Sequence, residues 1–176
     1  MRPTISICLL ATAGFFTACG PQPPKPEPVE KPASAPKVSN AAGKASTTHT
    51  IEANDQMRFS KKLIEVPAGK KINLTLRNVG HMPKEQMGHN LVILDFGKDA
   101  QAFAMEATYS KDNGYIPAKM EDWIVARTEL LGPGDSETIT FTAPNKPGDY
   151  EYMCTFPAHY AIGMKGIMRV VVEVEQ

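Results

Sequence analysis

A chain of 176 residues, 42% hydrophobic and 22% charged, is long enough for one domain with a full core and too short for two of ordinary size. The formal net charge is zero and no block of like charge runs long, which argues against a nucleic-acid-binding arm. The three cysteines are Cys8, Cys19 and Cys154, so an internal disulfide beyond residue 19 is excluded.

The N-terminus reads as a targeting segment. Arg2 supplies a short positive start, and Ile5 to Phe16 is an apolar run of secretory length, too short to stay in a bilayer as a helix. The run ends in FTAC (16–19), which resembles the bacterial lipobox, where a small residue precedes a cysteine that is lipidated and becomes residue one. Phe16 departs from that pattern, which usually has leucine. Simple cleavage after ATA (11–13) is the alternative, but it would cut through the apolar run. Either route takes the protein out of the cytoplasm. On the lipobox reading, residues 1–18 are a signal peptide and Cys19 carries a membrane anchor.

Seven prolines fall between Pro21 and Pro36, interleaved with Lys, Glu, Ala and Ser. Such a segment cannot bury a core and favours polyproline II, reaching on the order of 50 Å at about 3.1 Å per residue. Residues 19–48 are therefore expected to be a disordered tether and residues 49–176 the folded domain. That domain carries 14 basic and 17 acidic residues, a mildly acidic balance unsuited to a polyanion.

From His49 onward, short alternating or β-branched runs recur between turn signals. They are TIEA (50–53), LIEV (63–66), INLTLR (72–77), LVIL (91–94), WIVARTEL (123–130), ETITFT (137–142), DYEYM (149–153) and IMRVVVEV (167–174). PAG (67–69), GPGD (132–135) and PNKPG (144–148) punctuate them. One segment, DAQAFAMEATY (99–109), reads as helical. The pattern predicts an all-β Greek-key sandwich of short antiparallel strands with one helical insertion. Met105 and Met168 read as core filling.

The stretch MCTFPAHYAIGM (153–164) concentrates metal donors: Cys154, His159 five residues on, and Met164 five further. It joins the last two predicted strands, so these side chains sit at one pole of the sandwich on a loop stiffened by Pro157. A fourth donor would come from His49, His81 or His89. His89 is the better placed, directly before the strand 91–94; His81 lies in a turn-like VGHMP and His49 at the edge of the tether. One thiolate, two imidazoles and a weak thioether form the donor set of a blue-copper electron-transfer centre, whereas a thioether is a poor zinc ligand. The bland reading of the same residues is a buried Cys, a surface His and a core Met.

At this point the domain resembles the azurins of the cupredoxin family. The similarity runs through NDQMRF (54–59), MPKEQMGHN (82–90), IVARTELLG (124–132), SETITF (136–141), CTFPAH (154–159) and MKG (164–166). The resemblance implies one copper ion held by His89, Cys154 and His159, with Met164 as a long axial ligand and the carbonyl of Gly88 opposite it. It also implies that Asn90 ties the two ligand loops together and that the Phe156 N–H donates to the Cys154 sulfur. An electron-exchange patch of Met57, Met82, Met87, Phe156 and Ala158 would surround His159, facing redox-protein partners. Departures are the step of five from His159 to Met164, one longer than in azurins and like that of auracyanins and plastocyanins, and the absence of the azurin disulfide. Ala158 replaces a glycine, and Asn78 and Arg127 replace two non-ligand histidines. The implied activity is one-electron transfer. A copper enzyme is disfavoured because Met153 and Thr155, not histidines, flank Cys154; copper delivery or storage is the alternative.

Overall fold

The computed structural model describes residues 45–172; the expected signal peptide, Cys19 and most of the expected tether lie outside the described residues. Two sheets face each other. One has four strands in the order β2-β1-β4-β7, the other five in the order β3-β9-β8-β5-β6. Their limits are β1 Thr48–Asn54, β2 Arg58–Phe59, β3 Leu63–Pro67, β4 Lys71–Asn78, β5 Val92–Leu94, β6 Ile124–Arg127, β7 Ser136–Thr142, β8 Gly148–Met153 and β9 Lys165–Val171. The sandwich expectation holds, but the strands are not all antiparallel. β1 runs parallel to β4, and β3 parallel to β9. Alternation reports which face a residue takes and carries no information about strand direction.

β4 shows the physics most plainly. Ile72, Leu74, Leu76 and Asn78 point inward and are buried, while Lys71, Asn73 and Arg77 face solvent. In β1 the inward set is His49, Ile51 and Ala53. His49 is thus a buried member of β1, not the edge of a tail; its Nε2 bonds the Ser46 carbonyl at 2.8 Å. Ser46 and Thr47 already make backbone hydrogen bonds to Glu65 and Asn73.

β5 is buried on both faces. Ile93 joins the inter-sheet core with Tyr150, Tyr152 and Met168. Val92 and Leu94 join a second cluster with Met153 and with Ala100, Phe103 and Ala104 of helix α2 (Ala100–Ala107). The predicted helical insertion is therefore present, opened by Asp99, whose side chain accepts from the Ala102 N–H at 3.0 Å. A four-residue helix α1 (Lys84–Met87) and 3₁₀ turns at Lys111–Asn113 and Ala118–Trp123 accompany it. The buried residues of α2 recur at positions 100, 103, 104 and 107, one face of a helix, which leaves Met105 on the other. Met105 is 63% exposed and so does not fill the core as expected, whereas Met168 is fully buried.

Candidate metal centre

The donors come together because three chain segments end at the same pole. α1 stops at Gly88, where the chain turns into an isolated antiparallel bridge between His89 and Leu131. Both bonds of that bridge form: His89 N–H to Leu131 O at 3.1 Å, and Leu131 N–H to His89 O at 2.8 Å. Gly88 admits no side chain, since a Cβ there would lie 2.6 Å from the Lys84 carbonyl and 2.9 Å from Leu130. Cys154 follows the last residue of β8, and its N–H donates to the Met164 carbonyl at 3.1 Å. The Met164 N–H in turn donates to the His159 carbonyl at 2.9 Å, closing the loop on itself.

His89, Cys154 and His159 place their ligating atoms within 4.8 Å of one another. Each residue is at most 2% exposed, and Met164 is fully buried in the same core. Nδ1 of His89 lies 4.0 Å from the Cys154 sulfur and Nδ1 of His159 lies 3.3 Å from it. One ion bonded trigonally to a thiolate at about 2.3 Å and an imidazole at about 2.0 Å would hold those two donors about 3.7 Å apart. The two observed separations bracket that value, so the donor set fits a single small metal ion.

The electrostatics favour neutral donors in the metal-free protein. Burial pushes the Cys154 thiol up to about 12, against a downward pull from the backbone N–H groups of Asn90 and Phe156. Burial, with the adjacent His89 adding to it, lowers His159 to about 4. Burial likewise lowers His89, opposed by Asp55 and by the Asn54 carbonyl. Nε2 of His89 is a buried nitrogen without a hydrogen-bond partner among the described residues. An imidazole whose Nδ1 is committed to a metal has only this second nitrogen with which to orient itself.

Asn90 links the two ligand loops. Its Oδ1 accepts from the Thr155 N–H at 2.8 Å, and its Nδ2 donates to Thr155 Oγ1 at 2.7 Å and to the Gly114 carbonyl at 3.3 Å. Both residues are at most 1% exposed. Sequence reasoning found Asn90 and missed Thr155; the available signal was a polar residue at a buried strand end, which needs a partner. Phe156 packs its ring 4.8 Å from that of His159 and 5.1 Å from Tyr115.

The other expected positions are more dispersed in character. Met82 and Ala158 are exposed, Met57 and Met87 half-buried, and Phe156 is 9% exposed. His159 itself is only 2% exposed, so little of the ring reaches solvent. His81 is exposed and its N–H is held by Asp55 Oδ2 at 2.8 Å; neither it nor His49 belongs to the cluster. Asn78 is buried, donating to the Leu131 carbonyl at 3.2 Å, and Arg127 pairs with Glu129 at 2.7 Å.

Comparison with known proteins gives a consistent picture. Copper-binding proteins of the plastocyanin/azurin family match residues 45–173. Auracyanin-B of Chloroflexus aurantiacus is 32% identical over 94% of this chain and 78% of its own length, and azurin of Bordetella pertussis is 36% identical over 69% and 81%. Outer membrane protein H.8 of Neisseria gonorrhoeae is 38% identical over 69% of this chain, which spans 66% of that protein's length. Among solved structures, reduced auracyanin of Roseiflexus castenholzii superposes with a TM-score of 0.66 at 43% identity, covering 72% of this chain and 98% of the other. An azurin of Methylomonas sp. strain J does so at 0.63 and 28% identity, covering 72% and 99%.

Proposed function

The chain belongs to the plastocyanin/azurin family of copper-binding proteins, and on that premise we propose that it is a one-electron carrier and not an enzyme. Copper, when bound, supplies a couple that gains and loses one electron. The observation that carries the reading is the convergence of His89, Cys154 and His159 in a buried, hydrogen-bonded frame. The residues of the chain supply rigidity: Asn90 and Thr155 lock the loops, and the bridge at Leu131 fixes His89. Donors that move little between oxidation states leave little reorganisation to oppose electron transfer.

In this reading Met164 would hold the metal together with His89, Cys154 and His159, supported by its burial in the core it shares with Cys154. The Gly88 carbonyl would be a further, weak donor, supported by the close packing that only glycine permits there. The N–H of Phe156 donates to the Cys154 sulfur and raises the reduction potential. Met57, Met82, Met87, Phe156 and Ala158 frame the face through which His159 exchanges electrons with a redox protein. Residues 1–18 are a signal peptide, Cys19 bears a lipid, and the proline-rich segment stands the domain off a membrane outside the cytoplasm. A relative named as an outer membrane protein supports that placement, while no helix among the described residues is long and apolar enough to cross a membrane.

Purified protein given Cu(II) should develop an intense blue absorption from thiolate-to-copper charge transfer, bleached by ascorbate. A colourless adduct, or unchanged colour in Cys154→Ser, defeats the assignment. Cys19→Ala should release the protein from membranes; continued association defeats the anchor. Copper delivery or storage is the weaker reading, because donors at most 2% exposed do not suit easy exchange.

A further inference from the structure

The loop from His159 to Met164 is longer by one residue than that of azurins, and something must hold the added backbone in place. Inside the loop, the N–H of Ile162 donates to the Ala158 carbonyl at 3.1 Å and that of Gly163 to the Tyr160 carbonyl at 2.9 Å. Gly163 takes a φ of +95°, a conformation that glycine adopts without strain. These bonds use up loop N–H groups but leave the carbonyls of Ile162, Gly163 and Lys165 facing outward, on both sides of Met164.

Two cations take all three, Arg58 from β2 of the opposite sheet and Lys62 from just before β3, the neighbour of β9. Nη1 of Arg58 donates to the Ile162 carbonyl at 2.9 Å. Nζ of Lys62 donates to the Gly163 carbonyl at 2.7 Å and to the Lys165 carbonyl at 3.1 Å. Both residues are anchored at their own backbones. Arg58 sits in β2 opposite Asn54, and the Lys62 carbonyl accepts from the Ile167 N–H at 2.9 Å, where β3 meets β9. Burial, then the charges of Arg58 and Lys165, push the Lys62 ammonium below its usual range. Like charges gathered this closely repel, and the separate carbonyls that Arg58 and Lys62 bind hold them in place.

We propose that Arg58 and Lys62 are positioning residues: by binding the carbonyls on either side of Met164 they fix its backbone and so set where its thioether sits relative to Cys154 and the two histidines. The proposal rests on the reading of Met164 as a metal ligand. A hydrogen bond from a charged donor is stronger than one from a neutral donor. Releasing Lys62 therefore loosens the segment 162–165 without replacing His89, Cys154, His159 or Met164.

The test compares Lys62→Met, which keeps the stem and removes the donor, with Lys61→Met, which removes an adjacent equal charge whose side chain makes no hydrogen bond to the loop. In the metal-free full chain, amide exchange at Gly163 and Met164 should quicken about tenfold or more in Lys62→Met and stay unchanged in Lys61→Met. After copper loading, Lys62→Met should alter the ratio of visible bands and the symmetry of the electron paramagnetic resonance signal, and Lys62→Arg should restore both. Arg58→Met gives a second reading of the same quantities should Lys62→Met fail to fold. Unchanged exchange in Lys62→Met and Arg58→Met overturns the clamp, as does an equal spectral change in Lys61→Met, which would show a simple charge effect. Copper uptake without a blue band in the unmodified protein defeats the ligand reading itself; an intact blue band insensitive to Lys62→Met defeats only the clamp.

Discussion

Replacing Asn90 by alanine is the sharpest test of how the two ligand loops are joined. The side chain is fully buried and makes three hydrogen bonds, two of them to Thr155, which is itself 1% exposed. Truncation strands the Thr155 N–H in a place water cannot reach, at about 1–3 kcal/mol, and removes the N–H that donates to its hydroxyl oxygen, at about 1 kcal/mol. The hydroxyl can rotate and the Gly114 carbonyl is only half-buried, so neither adds its full desolvation penalty. The expected loss is about 2–4 kcal/mol, or on the order of 10 °C in melting temperature for a domain of this size. Urea unfolding of the metal-free protein, followed by the fluorescence of the single tryptophan, Trp123, measures it directly. Because Thr155→Val removes the same hydroxyl contact, the double variant should lose less than the sum of the singles by about 1 kcal/mol. A loss below about 0.5 kcal/mol for Asn90→Ala, or strict additivity, would refute the claim that this pair locks the loops.

Three further outcomes follow from the same physics. His49, His89 and His159 all have lowered pKa values, chiefly from burial. The unfolded chain therefore takes up protons first as pH falls below about 6.5, and stability, highest above that value, declines toward the folded pKa values. With His159 at about 4, that ring alone removes about 2 kcal/mol between pH 7 and pH 5 in the metal-free protein, and a flat urea-midpoint profile would contradict this. Gly166→Ala pushes a Cβ into the ring and hydroxyl of Tyr152, which donates to the Lys61 carbonyl at 2.7 Å, and should cost about 1–3 kcal/mol by thermal unfolding. Met168→Ala should cost about 2–5 kcal/mol against less than about 0.5 for Met105→Ala, since one side chain is buried and the other 63% exposed; similar losses would mean that α2 is placed wrongly.

Much of the architecture is readable from alternation. INLTLR (72–77) and ETITFT (137–142) declare half-buried strands, and they pair in register from Lys71↔Thr142 to Arg77↔Ser136. The two-residue strand β2 is too short to carry a period, which is why it escapes a pattern search. Where expectations about single residues went astray, the sequence often held the correction. His49 shares the inward parity of Ile51 and Ala53, and Met105 lies off the stripe of Ala100, Phe103, Ala104 and Ala107. Parity in a strand and angle on a helix are better guides to burial than residue type.

What the sequence determined by itself is chemical and local: a thiol, imidazoles and a thioether at loop spacing, flanked by strands whose alternation assigns each side chain a face. Those properties depend on residue type and on neighbours within a turn or two. The tertiary structure decided what depends on contacts across long loops. It brought His89 and Cys154, 65 residues apart, to one pole, satisfied buried Asn90 with Thr155, and delivered Arg58 and Lys62 to carbonyls more than 100 residues away. No local rule encodes such meetings, because they arise only when two sheets close on one core and their ends fall together.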